Sequence, residues 1–353
     1  MKKAIMSLTQ PLKNFYASIS RYLRTITFKV LLKLDVLMLG KIPFSIHHLY
    51  RIYIYNLATV VDWELYCIVQ NLKTTHRKLN NSKKILFYPN LPIQVATIYQ
   101  VCLFLGYSVT NNIQENYDAA IKWEDATFSP NDRQLLHLSS QDNNLINVGC
   151  EDISKLHTDK IFHSVFGYGA EIDPTTYTES CVVKSDLNYK HDGKIISCPI
   201  SKVESDVVYQ KLIDAEVEGN KLLEFRVAVI KQSIPVVYLC LQESSPEKRF
   251  LGYGSFISIQ VTDASKVFSE DEIQKILLFC QKMGLDYCEL DVLRDKEDRR
   301  IYIIDANNTP SSIGLFEPLM RPLDKCLISP TQRSNTLQKL AQAFKEMLPS
   351  LKD

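Results

Sequence analysis

Several things are scarce in this 353-residue chain, and each scarcity removes a class of protein. Its nine cysteines stand singly, with no CxxC pair and no metal-ligand spacing to histidine, and their number is odd. That usage fits reduced thiols in a cytoplasmic protein far better than a disulfide framework, and offers no cysteine-based zinc site. Glycine is rare at 11 residues, with no glycine-rich run, no internal repeat and no low-complexity stretch. Long apolar runs are missing too. The longest near the start, VLLKLDVLMLGKIPF, is broken by Lys33, Asp35 and Lys41, so it is too short and too charged to span a bilayer. Basic residues continue through and beyond it without a small-residue cleavage site, which argues against a signal peptide.

What is present is an ordinary globular composition, 46% hydrophobic and 23% charged, in a chain long enough for two or three cores. The net charge of +1 hides an asymmetry. Residues 1–61 carry nine Lys or Arg against Asp35 alone, so this segment is +8 and the remainder −7. Residues 1–80 read as helix, with apolar steps such as Phe28, Leu31, Leu32 and Val36 and a break near Gly40 and Pro43. Packing on the rest of the chain is the default for such a segment. Peripheral contact with an anionic membrane surface or partner is the competing reading, and no motif supports nucleic-acid binding.

Between 81 and 150 the pattern becomes strand, helix, strand: ILFYP, then PIQVATIYQVCLFLG, then YSVTN, a small α/β domain. From 151 to 330, SCVVKSD, DVVYQKLID, KLLEFRVAVI, IPVVYLCLQ and FISIQVT read as antiparallel strands rich in β-branched residues. SEDEIQKILLFCQKMG is a helix with Ser269 at its N-cap, Glu272 three residues on and Gly284 at its end. Residues 331–353 hold an amphipathic helix with Leu337, Leu340, Ala341, Phe344 and Leu348 on one stripe.

The stretch GLDYCELDVLRDKEDRRIYIIDANNTP, residues 284–310, carries the chemistry. Side chains alternate along a strand, so Glu289 and Asp291 share one face of a first run, and Asp305 and Asn307 share one face of a second. One permitted hairpin register sets Asp291 opposite Asp305 and Glu289 opposite Asn307, though the sequence does not fix it. Carboxylates brought that close cannot all stay ionised unless a cation neutralises them, and an oxygen-only set suits Mg²⁺ shared with phosphate. A solvated hairpin face is the alternative. Lys184 ends an apolar strand before a polar loop, where a lysine reaches phosphate as a point charge. Glu224 and Arg226 share a face of another strand, which an ion pair would also explain.

The order VVK, polar loop, VYQKLID, EFR, ELD, DANNTP resembles the ATP-grasp superfamily, over about residues 151–322, with residues 81–150 in the place of its pre-ATP-grasp domain. The resemblance implies an α+β fold in which two α+β subdomains hold ATP between them, after the small α/β domain and the N-terminal helical segment. It implies an ATP- and Mg²⁺-dependent, ADP-forming ligase that activates a small-molecule or peptide carboxylate as an acyl phosphate and joins it to an amine or similar nucleophile. A kinase on the same scaffold and a non-catalytic nucleotide-binding protein are its rivals. Residue by residue, the resemblance gives Lys184 to the ATP phosphates, under a loop from Ser185 to Gly193, and Lys155 to the same nucleotide, with Lys160 as a weaker candidate. Backbone groups of Lys211 and Ile213 would meet adenine, and Asp214 the ribose. Asp291, Asp305 and Asn307 would hold magnesium. Arg226 would sit near the transferred phosphate and Glu224 on the nucleotide side. His191, His163, Arg294, Arg249, Ser311 and Ser312 are further candidates near the site. The sequence departs from the family in its single loop glycine, in Lys211 where an acid is usual, and in Asp305 where glutamate is commoner.

Overall fold

In the computed structural model, the described residues are 83–93, 96–141, 145–188, 190–244, 256–310, 328 and 330–348. The expectations for 1–80, and the candidates Arg249, Ser311 and Ser312, lie outside them. The described chain is α+β and contains three sheets.

The first sheet is parallel, in the order β2-β1-β3-β4, formed by β1 (Lys84–Pro89), β2 (Ser108–Thr110), β3 (Ala119–Trp123) and β4 (Leu145–Ile146). The expected strand-helix-strand unit is here, with α1 (Thr97–Leu105) crossing from β1 to β2. This helix starts later than Pro92 and ends where Gly106 turns left-handed and its amide returns to Cys102 and Leu103 carbonyls. α2 (Arg133–Gln141) lies between β3 and β4.

After α3 (Lys155–Phe166) comes the small antiparallel sheet β6-β5-β7, built from β5 (Ser180–Ser185), β6 (Lys194–Ser197) and β7 (Val207–Lys211). The largest sheet runs β11-β10-β9-β12-β13, all neighbours antiparallel, with the short β8 (Glu216–Val217) paired to β9. Its strands are β9 (Lys221–Ile230), β10 (Ser233–Glu243), β11 (Phe256–Thr262), β12 (Tyr287–Arg294) and β13 (Ile301–Asn307). β12 is buried on both faces as far as Leu293, which explains why its sequence lacks a plain apolar-polar alternation.

One face of this large sheet packs against α3 and α4 (Glu270–Met283), through Phe225, Val227, Val229, Leu290 and Val292. α4 opens on the expected capping box, Ser269 with Glu272, and closes at Gly284. The opposite face divides along its length. At one end, Ala228, Ile230, Val236, Tyr238 and Tyr287 join a core with β1, β3, α1 and the C-terminal helix α5 (Pro330–Met347), whose stripe Leu337, Leu340, Ala341, Phe344 and Leu348 is fully enclosed. Two residues further along β9 and β12, that face becomes Arg226, Glu224, Glu289 and Asp291.

Candidate functional site

The hairpin register is the one that brings the acids together. β12 and β13 pair Asp291 with Asp305 and Glu289 with Asn307 directly across the ladder. The pairing slips by one residue between Asp291 and Val292, which leaves Ile304 as a bulge beside Asp305. A bulge re-aims the adjoining side chains and exposes a carbonyl. Here the Ile304 carbonyl is 3.5 Å from the Lys184 ammonium of β5, so the small sheet meets the large one at the acids.

Two lysines face Asp305. Burial pushes the Lys184 ammonium down to about 8; Asp305 opposes that shift, and the neighbouring Lys155 charge reinforces it. Burial also lowers Lys155, with Asp305 the first of the opposing carboxylates. Lys155 is the first residue of α3, and its ammonium donates to the Leu187 carbonyl at 2.7 Å and to Asn188 Oδ1 at 3.3 Å. The loop answers in kind. Asp186 accepts the Leu156 amide at 2.9 Å through its side chain and the Lys155 amide at 3.3 Å through its carbonyl, while Ser154 caps the next turn. Lys160, the weaker candidate, is exposed, as is His163 two turns after Lys155 on the same helix. His191 is exposed in the loop with a φ of 49° and faces solvent.

On the other side of Asp291 lies Arg226, which is ion-paired within its own sheet face. Its Nε donates to Glu224 at 2.5 Å, and its Nη1 is 2.6 Å from Asp291 Oδ1 and 3.8 Å from Glu289. Burial alone would lower the pKa of this guanidinium, yet Asp291, Glu224 and Glu289 outweigh it and hold it well above the usual range. Glu224 is accordingly its ion-pair partner. Burial raises the Glu289 carboxyl to about 7 against the pull of Arg226, and raises Asp291 as well. Glu289, which the resemblance did not assign, is thus a full member of the cluster. Asn188 and Thr158, also unassigned, carry a buried Nδ2 and a buried Oγ1 without hydrogen-bond partners among the described residues. Only the spacing of Asn188 from Lys184, inside the polar loop, hinted at this.

The strand expected to receive a base is also more committed than its sequence suggested. The Lys211 amide donates to the Ala170 carbonyl at 2.7 Å, so that N–H belongs to the fold and is not available to a base. Its ammonium lies 2.9 Å from Asp295 and 3.5 Å from Asp298, over the Tyr302 ring. The Ile213 carbonyl accepts from Ala215, and Asp214 is ion-paired to Lys296 at 2.5 Å. Arg294 grips Glu272 with two bonds, at 2.7 and 3.0 Å, and the Val267 carbonyl at 2.9 Å, and so serves the start of α4.

Asp291, Asp305 and Asn307 offer only oxygen, as a hard divalent cation requires. Asp291 Oδ1 is buried and, despite its closeness to Arg226, receives no aligned hydrogen bond. Four acids, Glu224, Glu289, Asp291 and Asp305, stand against Arg226, Lys155 and Lys184, an arrangement that gains from added positive charge. The residues therefore fit Mg²⁺, provided phosphate or water completes the shell: among the described residues no three His, Cys, Asp or Glu side chains form a ready ligand group.

No family model and no curated protein matches the sequence. Solved structures do. The ATP-grasp ligase PsnB, complexed with minimal precursor, Mg and ADP, is 11% identical and aligns over 77% of this chain and 100% of its own, with a TM-score of 0.48. D-alanine–D-alanine ligase from Bacillus anthracis, complexed with ATP, is 13% identical over 74% of this chain and 98% of its own, with a TM-score of 0.41. The macrocyclase MdnC from Microcystis aeruginosa, bound to precursor peptide MdnA, is 11% identical over 76% and 98%, with a TM-score of 0.38.

Proposed function

We propose that the chain is an ATP-grasp ligase: it activates a substrate carboxylate with ATP as an acyl phosphate, releases ADP, and passes the acyl group to an amine or similar nucleophile. The observation that carries this reading is the meeting of Lys155 and Lys184 with Asp305 and Asp291 where β5 crosses the β13 bulge. One buried and one half-buried cation on one side and oxygen ligands on the other suit a polyphosphate held between two sheets. Phosphoryl transfer asks little else of a protein, since positioning and charge neutralisation supply most of the rate.

In this reading Lys184 and Lys155 hold the phosphates, and Asn188 adds its buried Nδ2 once the loop is in place. Asp291, Asp305 and Asn307 would hold Mg²⁺, which neutralises phosphate charge when bound. Arg226 positions Asp291 from its ion pairs. Backbone groups of Lys211 and Ile213 would meet the base, with Asp214 toward the ribose. Domain limits follow the same reading: 81–150 before the nucleotide fold, 151–330 for the fold itself, 331–353 for the closing helix.

Calorimetry with a non-hydrolysable ATP analogue tests the nucleotide half of the proposal. Binding is expected to need Mg²⁺, and to weaken about tenfold or more in Lys184→Ala and in Asp305→Ala, a change of roughly 1.4 kcal/mol or above. Parent-like affinity in both variants, or indifference to Mg²⁺, rejects it. A screen of carboxylate and amine pairs for ADP release tests the ligation half. ADP formed with a single hydroxyl compound and no second substrate would mark a kinase instead.

A further inference from the structure

The hairpin β5–β6 carries one cysteine on each arm near its open end. Cys181 lies in β5 and is completely enclosed, whereas Cys198 follows β6 directly and is half-buried. Beyond the last ladder pair, Ser180 with Ser197, the Cys198 amide donates to the Glu179 carbonyl at 3.3 Å. That bond holds the arms together at this end, and the two sulfurs face each other at 3.2 Å. A disulfide needs about 2.05 Å, so roughly an ångström of approach closes the gap without separating the strands.

We propose that Cys181 and Cys198 form an oxidisable dithiol site that reacts with a low-molecular-weight disulfide and closes into an intramolecular bond locking the β5–β6 hairpin. Solvent reaches Cys198, so its thiolate, having lost a proton to water, attacks one sulfur of the reactant. The reactant's S–S bond breaks and the leaving thiolate takes up a proton, which gives a mixed disulfide on Cys198. Cys181 then attacks the Cys198 sulfur and expels the second thiolate, again with transfer of one proton. The protein dithiol loses two electrons and two protons, and the reactant becomes two thiols.

The order of attack follows from burial. Burial, together with the hydrogen bond to Cys198, pushes the Cys181 thiol up to about 12, so it cannot lead; it reacts once an electrophilic sulfur has been placed beside it. The fold also supplies its own control. Cys280 of α4 and Cys288 of β12 approach to 3.7 Å, yet both are enclosed and a solution reactant has no path to either.

The consequence lies at the other end of the hairpin. Its turn, residues 186–193, carries Leu187 and Asn188 against Lys155, and Lys184 precedes it on β5. A covalent tie between the arms restricts the opening of that turn, a local event proteolysis reads directly.

The full chain is equilibrated in buffers stepped from reduced glutathione to glutathione disulfide, quenched by alkylation and mapped by peptide mass. A Cys181–Cys198 linked peptide is expected to accumulate, with Cys280 and Cys288 alkylated only after denaturation. Tryptic cleavage after the exposed Lys190 is expected to slow roughly threefold or more, and to recover with reductant. Cys181→Ser is expected to stop at the glutathione adduct of Cys198, and Cys198→Ser to leave Cys181 unreacted. Cys181 still reduced in the most oxidising buffer, either cysteine linked to another partner, or a linked hairpin cut as fast as the reduced one would each overturn the proposal.

Discussion

Asn147 shows how much one side chain can hold. It follows β4 with a φ of 62°, a left-handed conformation that asparagine tolerates and β-branched residues do not. Its Oδ1 accepts the Asp286 and Tyr287 amides at 2.8 and 2.9 Å, and its Nδ2 donates to the Tyr287 carbonyl at 2.8 Å and reaches that of Asn308 at 3.5 Å. These bonds tie the parallel sheet to the start of β12 and to the residue after Asn307. Asn147→Ala strands buried amides and adds backbone strain, an expected loss of about 2–4 kcal/mol in urea denaturation. Asn147→Gly keeps the conformation, so a smaller loss there separates the hydrogen bonds from the strain. Nothing in the sequence announced this residue, because its partners lie some 140 positions away and an asparagine just before Val148 and Gly149 reads as a turn. Lys184 and Asp305 were legible for the opposite reason: each breaks a short apolar strand at a position where only a partner makes the charge tolerable.

At the scale of the element, the β12–β13 pairing was readable as a possibility and the place of β9 beside β12 was not. Alternation placed Asp305 and Asn307 on one face, and a single register aligned both acid pairs; but the link from Arg226 to Asp291 depends on β12 lying beside β9, a non-local choice that no local pattern encodes. The same limit explains Arg294. Its sequence neighbours suggested a site near the acids, whereas it reaches across to Glu272 and completes the cap of α4. That contact makes a pH prediction. Burial tends to raise the Glu272 carboxyl, but the bonds from Arg294 and the Ser269 amide hold it below its ordinary 4.5. A carboxyl depressed in the folded state adds stability above the unfolded pKa and loses it as pH falls through the folded value. Arg294→Met is therefore expected to cost about 1–2 kcal/mol at neutral pH and to narrow its deficit against the parent in acid. Parallel urea titrations at pH 7 and pH 3 measure the difference, and an unchanged deficit would show that Glu272 is not the linked group.

Across the whole molecule, one sheet face does two jobs, and the position along the strand decides which. Ala228 and Ile230 of β9 and Tyr287 of β12 meet α1, α5 and the parallel sheet; Arg226, Glu224, Glu289 and Asp291, further along, form the charged cluster. The apolar half fixes the strands so that the charged half need not close a core of its own. Phe344 of α5 is a sensitive probe of this division, being wholly enclosed among residues that include Tyr238 and Val101. Phe344→Ala removes its burial and leaves a cavity, for an expected loss of about 3–5 kcal/mol in urea denaturation. Its cavity opens in the apolar core, whose Tyr238 is the cross-strand neighbour of Arg226, and not at the register that joins Asp291 to Asp305. Affinity of the folded fraction for the ATP analogue is therefore expected to stay within about twofold of the parent, less than 0.5 kcal/mol. Calorimetry at a temperature well below the variant's melting point checks this. A tenfold fall there would mean that the two halves of the sheet are mechanically one, and that α5 takes part in shaping the charged end.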